Sequence, residues 1–235
     1  HSLLAAISHD LRTPLAALYG LADTLATGTP PLPARPREIA QALSAEARRM
    51  NAMVDKLLDM ARLQSGTVQL KREWLPIEEV VGTALQSVES ALGGHHVRVE
   101  LASDLPLVEI DAVLIERVFA NLLENAAKYT PSGSTVTIAA RVVAPDLVVT
   151  VSDDGPGLPV GQADRLFDKF TRGVRESHTP GVGLGLAICR AIVEAHGGRI
   201  GVDAPAADHR GARFSFTLPL GEPPDAPPGE EVEPA

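Results

Sequence analysis

The chain has 235 residues, of which 45% are apolar, and its formal net charge at pH 7 is −9. This length is sufficient for one or two domains with a sizeable core. The negative charge gives no general attraction to nucleic acid or to an anionic membrane surface, so we expect no nucleic-acid partner. No stretch has the roughly 18 consecutive apolar residues that a membrane helix requires. A single cysteine, Cys189, excludes an intramolecular disulfide and is typical of a buried, reduced thiol.

The first predicted helix covers residues 2–26. Its apolar residues recur at alternating spacings of three and four, which aligns them in one seam along the helix. The seam comprises Leu4, Ile7, Leu11, Leu18, Leu21 and Leu25, with Pro14 at one seam position. Pro14 is expected to bend the helix, because proline lacks the amide donor and crowds the preceding turn.

His9 falls on the side of this helix opposite the seam and is therefore expected to face water. An exposed imidazole is largely neutral near pH 7 and can act as a nucleophile. Asp10 can accept a hydrogen bond from the Nδ1 proton and leave Nε2 to react. Thr13, four residues further on, lies on the same face. The alternative is a solvated surface histidine without a chemical role.

A connector over residues 27–36 carries four prolines and leads to a second predicted helix, which ends near residue 64. Its apolar positions again alternate by fours and threes: Ile39, Leu43, Met50, Met53, Leu57 and Met60. Two such helices cannot close a core by themselves, and a second copy completes them most simply as a dimeric four-helix bundle. The alternative is that the hairpin packs on the rest of its own chain.

After Gly66 the pattern changes to strands and helices in mixed order, which predicts an α/β sandwich with helices on one face. The predicted strands are residues 68–71, 97–101, 135–143, 147–152, 199–203 and 212–218, and the predicted helices are residues 77–92, 112–128 and 183–196. Ala144-Pro145-Asp146 is predicted to form a tight hairpin turn. The irregular stretch 154–182 is interpreted as a mobile lid, and the acidic, proline-rich tail 221–235 is expected to be disordered.

Four polar side chains on the helix at 112–128 are spaced by threes and fours, so they project from one face: Asn121, Glu124, Asn125 and Lys128. The amide oxygen of Asn125 can enter the coordination shell of Mg²⁺, whose other ligands are waters and phosphate oxygens. Lys128 can place a positive charge on the same phosphates. We count the adjacent Tyr129 among the nucleotide contacts. A solvated helix face is the alternative.

A turn with the sequence Asp153-Asp154-Gly155-Pro156-Gly157 directly follows a predicted strand. Asp153 at the strand end is a suitable acceptor for the exocyclic amine of adenine. Gly155 and Gly157 allow a close approach that a side chain would block. The alternative is an ordinary acidic turn.

A glycine-rich segment with Gly181, Gly183, Leu184 and Gly185 opens the helix that follows the lid. Amides at a helix start attract phosphate, whereas the segment lacks the strand context of a dinucleotide fold and the lysine of a P-loop. Within the lid, aromatic residues including Phe170 are interpreted as anchors, and Lys169 or Arg172 as a cation that reaches the nucleotide. A simple surface helix is the competing interpretation.

Taken together, these elements resemble the N, G1, F and G2 boxes of the ATP-binding domain shared by histidine kinases, gyrase-type topoisomerases, Hsp90 chaperones and mismatch-repair ATPases. The run from His9 to Pro14 resembles the phospho-acceptor box of bacterial sensor histidine kinases. The residues around His9 and in the segment 181–189 are most similar to those of the potassium-responsive Kdp-type sensor kinases. Asp154 stands where many relatives carry Asn, and Val182 where many carry Thr or Ser.

The resemblance implies an α+β fold, in which a two-helix hairpin forms a dimeric four-helix bundle and is followed by an α/β sandwich ATP-binding domain. The expected boundaries are 1–65 for dimerisation and histidine phosphotransfer, 66–220 for ATP binding and 221–235 for the tail. We expect the chain to be the cytoplasmic portion of an inner-membrane sensor, attached to the membrane only through upstream segments.

The resemblance also implies a reaction. The γ-phosphoryl group of ATP, bound with Mg²⁺, is transferred to Nε2 of His9 and then to an aspartate in the receiver domain of a response regulator. Asp10 or Glu124 helps to accept the proton, and Thr13 positions a water that dephosphorylates the regulator. An ATP-driven conformational clamp and an inactive dimeric scaffold remain alternatives; the first needs no exposed histidine on a preceding helix, and the second needs none of the nucleotide ligands.

Overall fold

Residues 2–29, 32–64, 70–158, 166–167, 184–203 and 211–222 are described by a computed structural model, with the side chains of residues 2–12, 49, 52–53 and 55–64 left out. The described chain divides into two compact units. The first contains residues 2–29, 32–64, 166–167 and 184–191, and the second contains residues 70–158, 192–203 and 211–222.

The first unit contains a helical hairpin of α1 (Ser2–Thr27) and α2 (Ala34–Gln64), as the sequence predicted. Pro14 lies inside α1, and Pro36 lies in the first turn of α2. The side chains buried between the two helices are mostly small, which allows the helices to pack closely: Leu15, Ala22, Ala40, Ser44 and Ala47. The guanidinium of Arg48 on α2 also lies 5.1 Å from the ring centre of Tyr19 on α1, a cation–π contact.

The described residues of the apolar seam predicted from the sequence are not the residues buried between α1 and α2. Leu18, Leu21 and Leu25 of α1 are 53–66% exposed, and Ile39, Leu43 and Met50 of α2 are 45–56% exposed. Each helix of the hairpin therefore buries one row against its neighbour and leaves a second, larger apolar row at the surface of the single chain.

The second unit is built around a five-stranded sheet. Its strands are β2 (His96–Leu101), β4 (Thr135–Val143), β5 (Asp146–Asp153), β6 (Ile200–Val202) and β7 (Arg213–Pro219). Their order in the sheet is β2-β4-β5-β7-β6, in which β2 runs parallel to β4 and the other described pairs are antiparallel. A separate antiparallel pair joins β1 (Glu73–Leu75) to β3 (Val108–Ile110). The helices are α3 (Ile77–Ser87), α4 (Glu89–Leu92) and α5 (Ala112–Tyr129); α6 (Gly185–Ala195) begins in the first unit and ends in the second.

Alternating side chains give the sheet one buried face, where α5 packs against it. Along β4 and β5 the buried apolar residues are Val136, Ile138, Ala140, Leu147, Val149 and Val151. Phe119 of α5 meets Phe216 of β7 edge to face, with ring centres 5.5 Å apart. At the small two-stranded sheet, the backbone at Gly221 packs so closely on the ring of Trp74 that a Cβ there would lie 2.8 Å from it.

Several element predictions need correction. The predicted strand 68–71 is wrong at its described residues, because residues 70 and 71 are irregular and the strand lies at Glu73–Leu75. Its partner β3 was not predicted, since three residues are too few to show an alternating pattern. The predicted helix 77–92 is interrupted at Val88, whose φ of −111° and ψ of 13° leave the helical region.

Other predictions hold or lie outside the described residues. Cys189 is buried, as expected. Residues 144–145 form the tight turn between β4 and β5. The lid is described only at residues 154–158 and 166–167, and the tail only at 221–222, so both interpretations concern mostly undescribed residues. Among the described helices, none has the length and apolar character to cross a membrane.

Candidate active site

The candidate site begins at the C-terminal half of α5. Glu124 is exposed, whereas Asn125 and Lys128 are half-buried. Asn121 is only 6% exposed, and its side-chain amide donates to the carbonyl of Arg117 at 3.0 Å. The four polar side chains therefore do not form a uniformly solvated stripe, because the first of them is enclosed.

The side chains of Lys128 and Tyr129 at the end of α5 are in direct contact. The ammonium Nζ donates to the Tyr129 hydroxyl at 2.7 Å and lies 4.5 Å from the centre of its ring. A cation in the last turn of a helix is also favoured by the helix dipole. This contact places a positive charge at the helix end, next to a half-exposed aromatic ring.

Asp153 at the end of β5 is buried, and its carboxylate has a fixed orientation. Oδ1 accepts hydrogen bonds from the backbone amides of Gly155 at 2.9 Å and Ala212 at 3.2 Å. Gly211 packs against the carbonyl of Asp153 so closely that a Cβ at Gly211 would overlap the carbonyl oxygen. Gly157 has a φ of +75°, which favours glycine.

The turn after β5 lies against the end of α5. A Cβ at Gly155 would be 2.5 Å from Cγ2 of Thr130, the residue that caps the C-terminus of α5. The Thr130 hydroxyl donates to the carbonyl of Ala126 at 2.7 Å, and it lies 2.9 Å from Nε2 of His95. Two sequence-predicted elements, the α5 residues and the Asp153 turn, are thus brought together in the second unit.

Neither Thr130 nor His95 was predicted from the sequence. The available signal for Thr130 was its place before Pro131, since the residue before a proline is disfavoured in a helix and helices usually end there. His95 had no such signal, because its contact with Thr130 joins positions 35 residues apart.

The carboxylate of Asp154 has different hydrogen-bond partners from that of Asp153. Its Oδ1 accepts a hydrogen bond from the backbone amide of Thr135 at 2.9 Å, and this bond holds the pKa of the Asp154 carboxyl below its usual value. The backbone amide of Asp154 donates to the carbonyl of Thr135. Asp154 therefore ties the end of β5 to the start of β4.

The remaining predicted residues are described only in part. Leu184 is buried and Gly185 begins α6, whereas Gly181, Gly183, Phe170 and Arg172 lie outside the described residues. In the same unit as Leu184, the Arg190 guanidinium lies 4.8 Å from the ring centre of Phe167. The backbone places His9 and Asp10 in α1, where their side chains are not described, and Thr13 is exposed.

Comparison with known families matches both parts of the chain. Residues 1–66 match the His Kinase A (phospho-acceptor) domain. Residues 110–222 match the histidine kinase-, DNA gyrase B-, and HSP90-like ATPase family. The chain belongs to the sensor histidine kinases of two-component systems, and it joins a phospho-acceptor domain to an ATPase domain.

Individual relatives refine this placement. The chain is 49% identical over 223 residues to the sensor protein KdpD of Escherichia coli, an alignment that covers 93% of this chain and 24% of KdpD. The Kdp-type resemblance seen in the sequence is thereby confirmed. The chain spans about a quarter of the length of the KdpD relatives it matches.

Solved structures of related proteins agree with this family assignment. Full-length ShkA in complex with AMPPNP is 28% identical with a TM-score of 0.79, and the match covers 92% of this chain and 45% of ShkA. The mycobacterial sensor histidine kinase MprB is 32% identical with a TM-score of 0.55, and the match covers 63% of this chain and 97% of that one. The fold is also found in ThkA, solved in complex with the response regulator TrrA, at 21% identity and a TM-score of 0.63 over 92% of this chain and 60% of ThkA.

Proposed function

We propose that this chain transfers the γ-phosphoryl group of ATP to Nε2 of His9 and passes it on to an aspartate of a response regulator. The observation that carries the proposal is the presence, in one polypeptide, of a phospho-acceptor domain with His9 on α1 and an ATPase domain with Asp153 fixed beside α5. A conformational clamp would need only the second of these domains.

Asp153 and the end of α5 form the nucleotide site in this proposal. The two backbone amides that bind Oδ1 hold the carboxylate ready to accept a hydrogen bond from the exocyclic amine of adenine. Lys128 supplies a positive charge for the phosphates, and the ring of Tyr129 shields that charge on one side. Phe170, Arg172 and the glycines 181, 183 and 185 complete the contacts with the nucleotide in this proposal, as does Leu184.

Mg²⁺ fits the oxygen donors that α5 offers. The described residues contain no cluster of three or more His, Cys, Asp or Glu side chains able to hold a metal. This agrees with a cation bound through Asn125, waters and phosphate oxygens rather than in a protein cage. When bound, Mg²⁺ neutralises charge that develops on the transferred phosphoryl group.

The transfer conserves atoms and charge. Nε2 of His9 attacks the γ-phosphorus, an N–P bond forms, and the bond to the bridging oxygen breaks as ADP leaves with the electron pair. The proton on Nδ1 passes to Asp10 or Glu124. In the second step, a carboxylate oxygen of the regulator attacks the phosphorus, the N–P bond breaks with its electron pair left on Nε2, and the imidazole of His9 takes back a proton. Thr13, exposed on α1, positions the water that hydrolyses the phosphoryl group from the regulator's aspartate.

We further propose that the chain is a homodimer through the hairpin, with the domain boundaries expected from the sequence. The exposed rows on α1 and α2 support this, because several large exposed apolar side chains on the same helices mark an interaction surface. A second copy offers a row of the same kind, so two hairpins can bury both rows in a four-helix bundle.

The test is incubation with γ-labelled ATP and Mg²⁺, comparing the unaltered chain with His9→Gln and Asp153→Asn. We expect an acid-labile, alkali-stable label on the unaltered chain and its transfer to a receiver domain, less label on Asp153→Asn, and none on His9→Gln. Label that persists in His9→Gln excludes His9 as the acceptor. ATP hydrolysis without labelled protein favours the clamp, and a chain that binds no nucleotide favours the scaffold.

A further inference from the structure

A buried polar junction lies at the N-terminal end of α5, opposite the end that carries the nucleotide site. Asp111 is 8% exposed and His196 is 4% exposed. Asp111 caps α5, because its Oδ1 accepts a hydrogen bond from the amide of Leu114 at 3.2 Å. Its own amide donates to Nε2 of His196 at 3.0 Å. His196 in turn donates from Nδ1 to the carbonyl of Ile192 in α6 at 2.8 Å.

His196 is neutral in this arrangement. Nε2 can accept from the Asp111 amide only if it carries no proton, so the proton of the ring is on Nδ1, where it is donated to Ile192. Burial lowers the pKa of His196, which keeps the ring in this form. The contacts fix both nitrogens, and His196 therefore links the start of α5 to the end of α6.

The second oxygen of Asp111 binds the segment by which the chain enters the second unit. Oδ2 accepts a hydrogen bond from the backbone amide of Lys71 at 3.0 Å. The next residue, Arg72, donates from Nη2 to the carbonyl of Ala195 at the end of α6, at 3.1 Å. Glu73 then pairs with Ile110, the residue before Asp111. Residues 71–73 are thus fastened to the start of α5 and the end of α6.

We propose that Asp111 and His196 are positioning residues, which set α5 and its nucleotide-binding half relative to the entering segment 71–73. The inference rests on the proposed function and deepens it. An N-cap needs one acceptor oxygen, and here the other oxygen binds the segment that follows α2 in the chain. Loss of that bond leaves a buried acceptor short of a donor, which is unfavourable. A displacement of residues 71–73 is therefore transmitted to a helix about 27 Å long, at whose far end lie Asn125 and Lys128.

Two substitutions remove the same hydrogen bond from opposite sides. Lys71→Pro deletes the donating amide, and Lys71→Ala is its control because it keeps the amide. Asp111→Asn keeps an N-cap of equal quality, but its side-chain nitrogen cannot accept from Lys71. His196→Gln places an acceptor oxygen in the role of Nε2, and His196→Ala leaves the Asp111 amide without this acceptor.

The experiment is calorimetric titration of the chain with a non-hydrolysable ATP analogue and Mg²⁺, with thermal unfolding measured on the same samples. We expect Lys71→Pro and Asp111→Asn each to weaken binding about 5-fold or more, since coupling between sites is usually of this size. The double variant should be no weaker than either single one, and Lys71→Ala should match the unaltered chain. By reciprocity, the analogue should slow hydrogen exchange of the Lys71 amide in the unaltered chain.

The outcomes separate three cases. If Lys71→Pro and Asp111→Asn lower the unfolding temperature but bind the analogue as the unaltered chain does, the junction is only structural and the inference is overturned. If Asp111→Asn weakens binding while Lys71→Pro does not, the entering segment is not coupled and the inference fails. If the unaltered chain binds no analogue, the proposed function fails first, which is visible before any variant is compared.

Discussion

Two adjacent aspartates show how environment assigns different roles to the same side chain. Asp153 is buried, and Oδ1 is held by two backbone amides at the end of the sheet. Asp154 is exposed, and its carboxylate binds the amide of Thr135. Asp153 was predicted from the sequence to recognise adenine, because its carboxylate stands at the end of a predicted strand. The distinct role of Asp154 depends on β4, whose position relative to the turn no local pattern reveals.

Asp153→Asn should weaken nucleotide binding about ten-fold or more, because a hydrogen bond to a charged acceptor contributes about 1.5–3 kcal/mol. Asp154→Asn is the matched control: its amide oxygen can accept from Thr135, so nucleotide affinity should stay unchanged. Titration with a fluorescent ATP analogue measures both. Equal losses in the two variants would contradict the assignment of Asp153.

His196 should give the folded chain a pH-dependent stability. Burial holds the pKa of His196 below 6.5, so as the pH falls through about 6.5 the unfolded chain takes up a proton that the folded chain does not. The free energy of unfolding therefore falls as the pH decreases below that value, until the folded pKa is passed, and is unaffected by His196 above it. Denaturant unfolding at about pH 5.5 and pH 7.5 measures the effect.

His196→Gln should reduce this pH dependence, because glutamine does not titrate and its oxygen can accept from the Asp111 amide. His96→Gln makes the same substitution at an exposed residue of β2 and is the control. An unchanged slope in His196→Gln would show that other groups cause the pH dependence.

At the scale of elements, the end of α5 and the turn after β5 are in close contact, because the backbone of Gly155 lies against the side chain of Thr130. Gly155→Ala should destabilise the fold by about 1–3 kcal/mol, because its Cβ would overlap Cγ2 of Thr130. Thr130→Ser removes that methyl group and keeps the hydroxyl that binds Ala126. The double variant should recover much of the loss, as urea unfolding can measure, whereas additive losses would argue against this contact.

How far the elements were predictable depended on their length and on where their partners lie. The helices α1, α2 and α5 and the strands β4 and β5 have enough residues for their apolar periodicity to show. The pair β1 and β3 was misplaced or missed, because each strand has three residues and their pairing spans more than thirty positions. In the candidate site, the choice of Asn125, Lys128 and Asp153 remains a prediction, whereas Thr130 and His95 were found only through their tertiary contacts.

At the scale of the whole molecule, the exposed apolar row of the hairpin governs the oligomeric state. Leu21→Glu should convert the proposed dimer to a monomer, because it places a charge between Leu18 and Leu25 in the exposed apolar row of α1. Val113→Glu on α5 is the matched control, since Val113 is 73% exposed in the other unit. Sedimentation at micromolar concentration distinguishes the two, and an unaltered chain that is monomeric would contradict the dimer.

Trp74 makes the second unit separately visible. It is the only tryptophan of the chain, and it contacts Gly221 just after β7, the last strand of the sheet. Its emission therefore reports the solvent exposure of a place where two segments far apart in sequence meet, while the hairpin contributes no tryptophan signal. Far-ultraviolet circular dichroism, by contrast, includes the long helices α1 and α2 of the hairpin. Recording both signals in one melting experiment measures, without any label or added dye, whether the hairpin and the ATP-binding unit unfold together or in sequence.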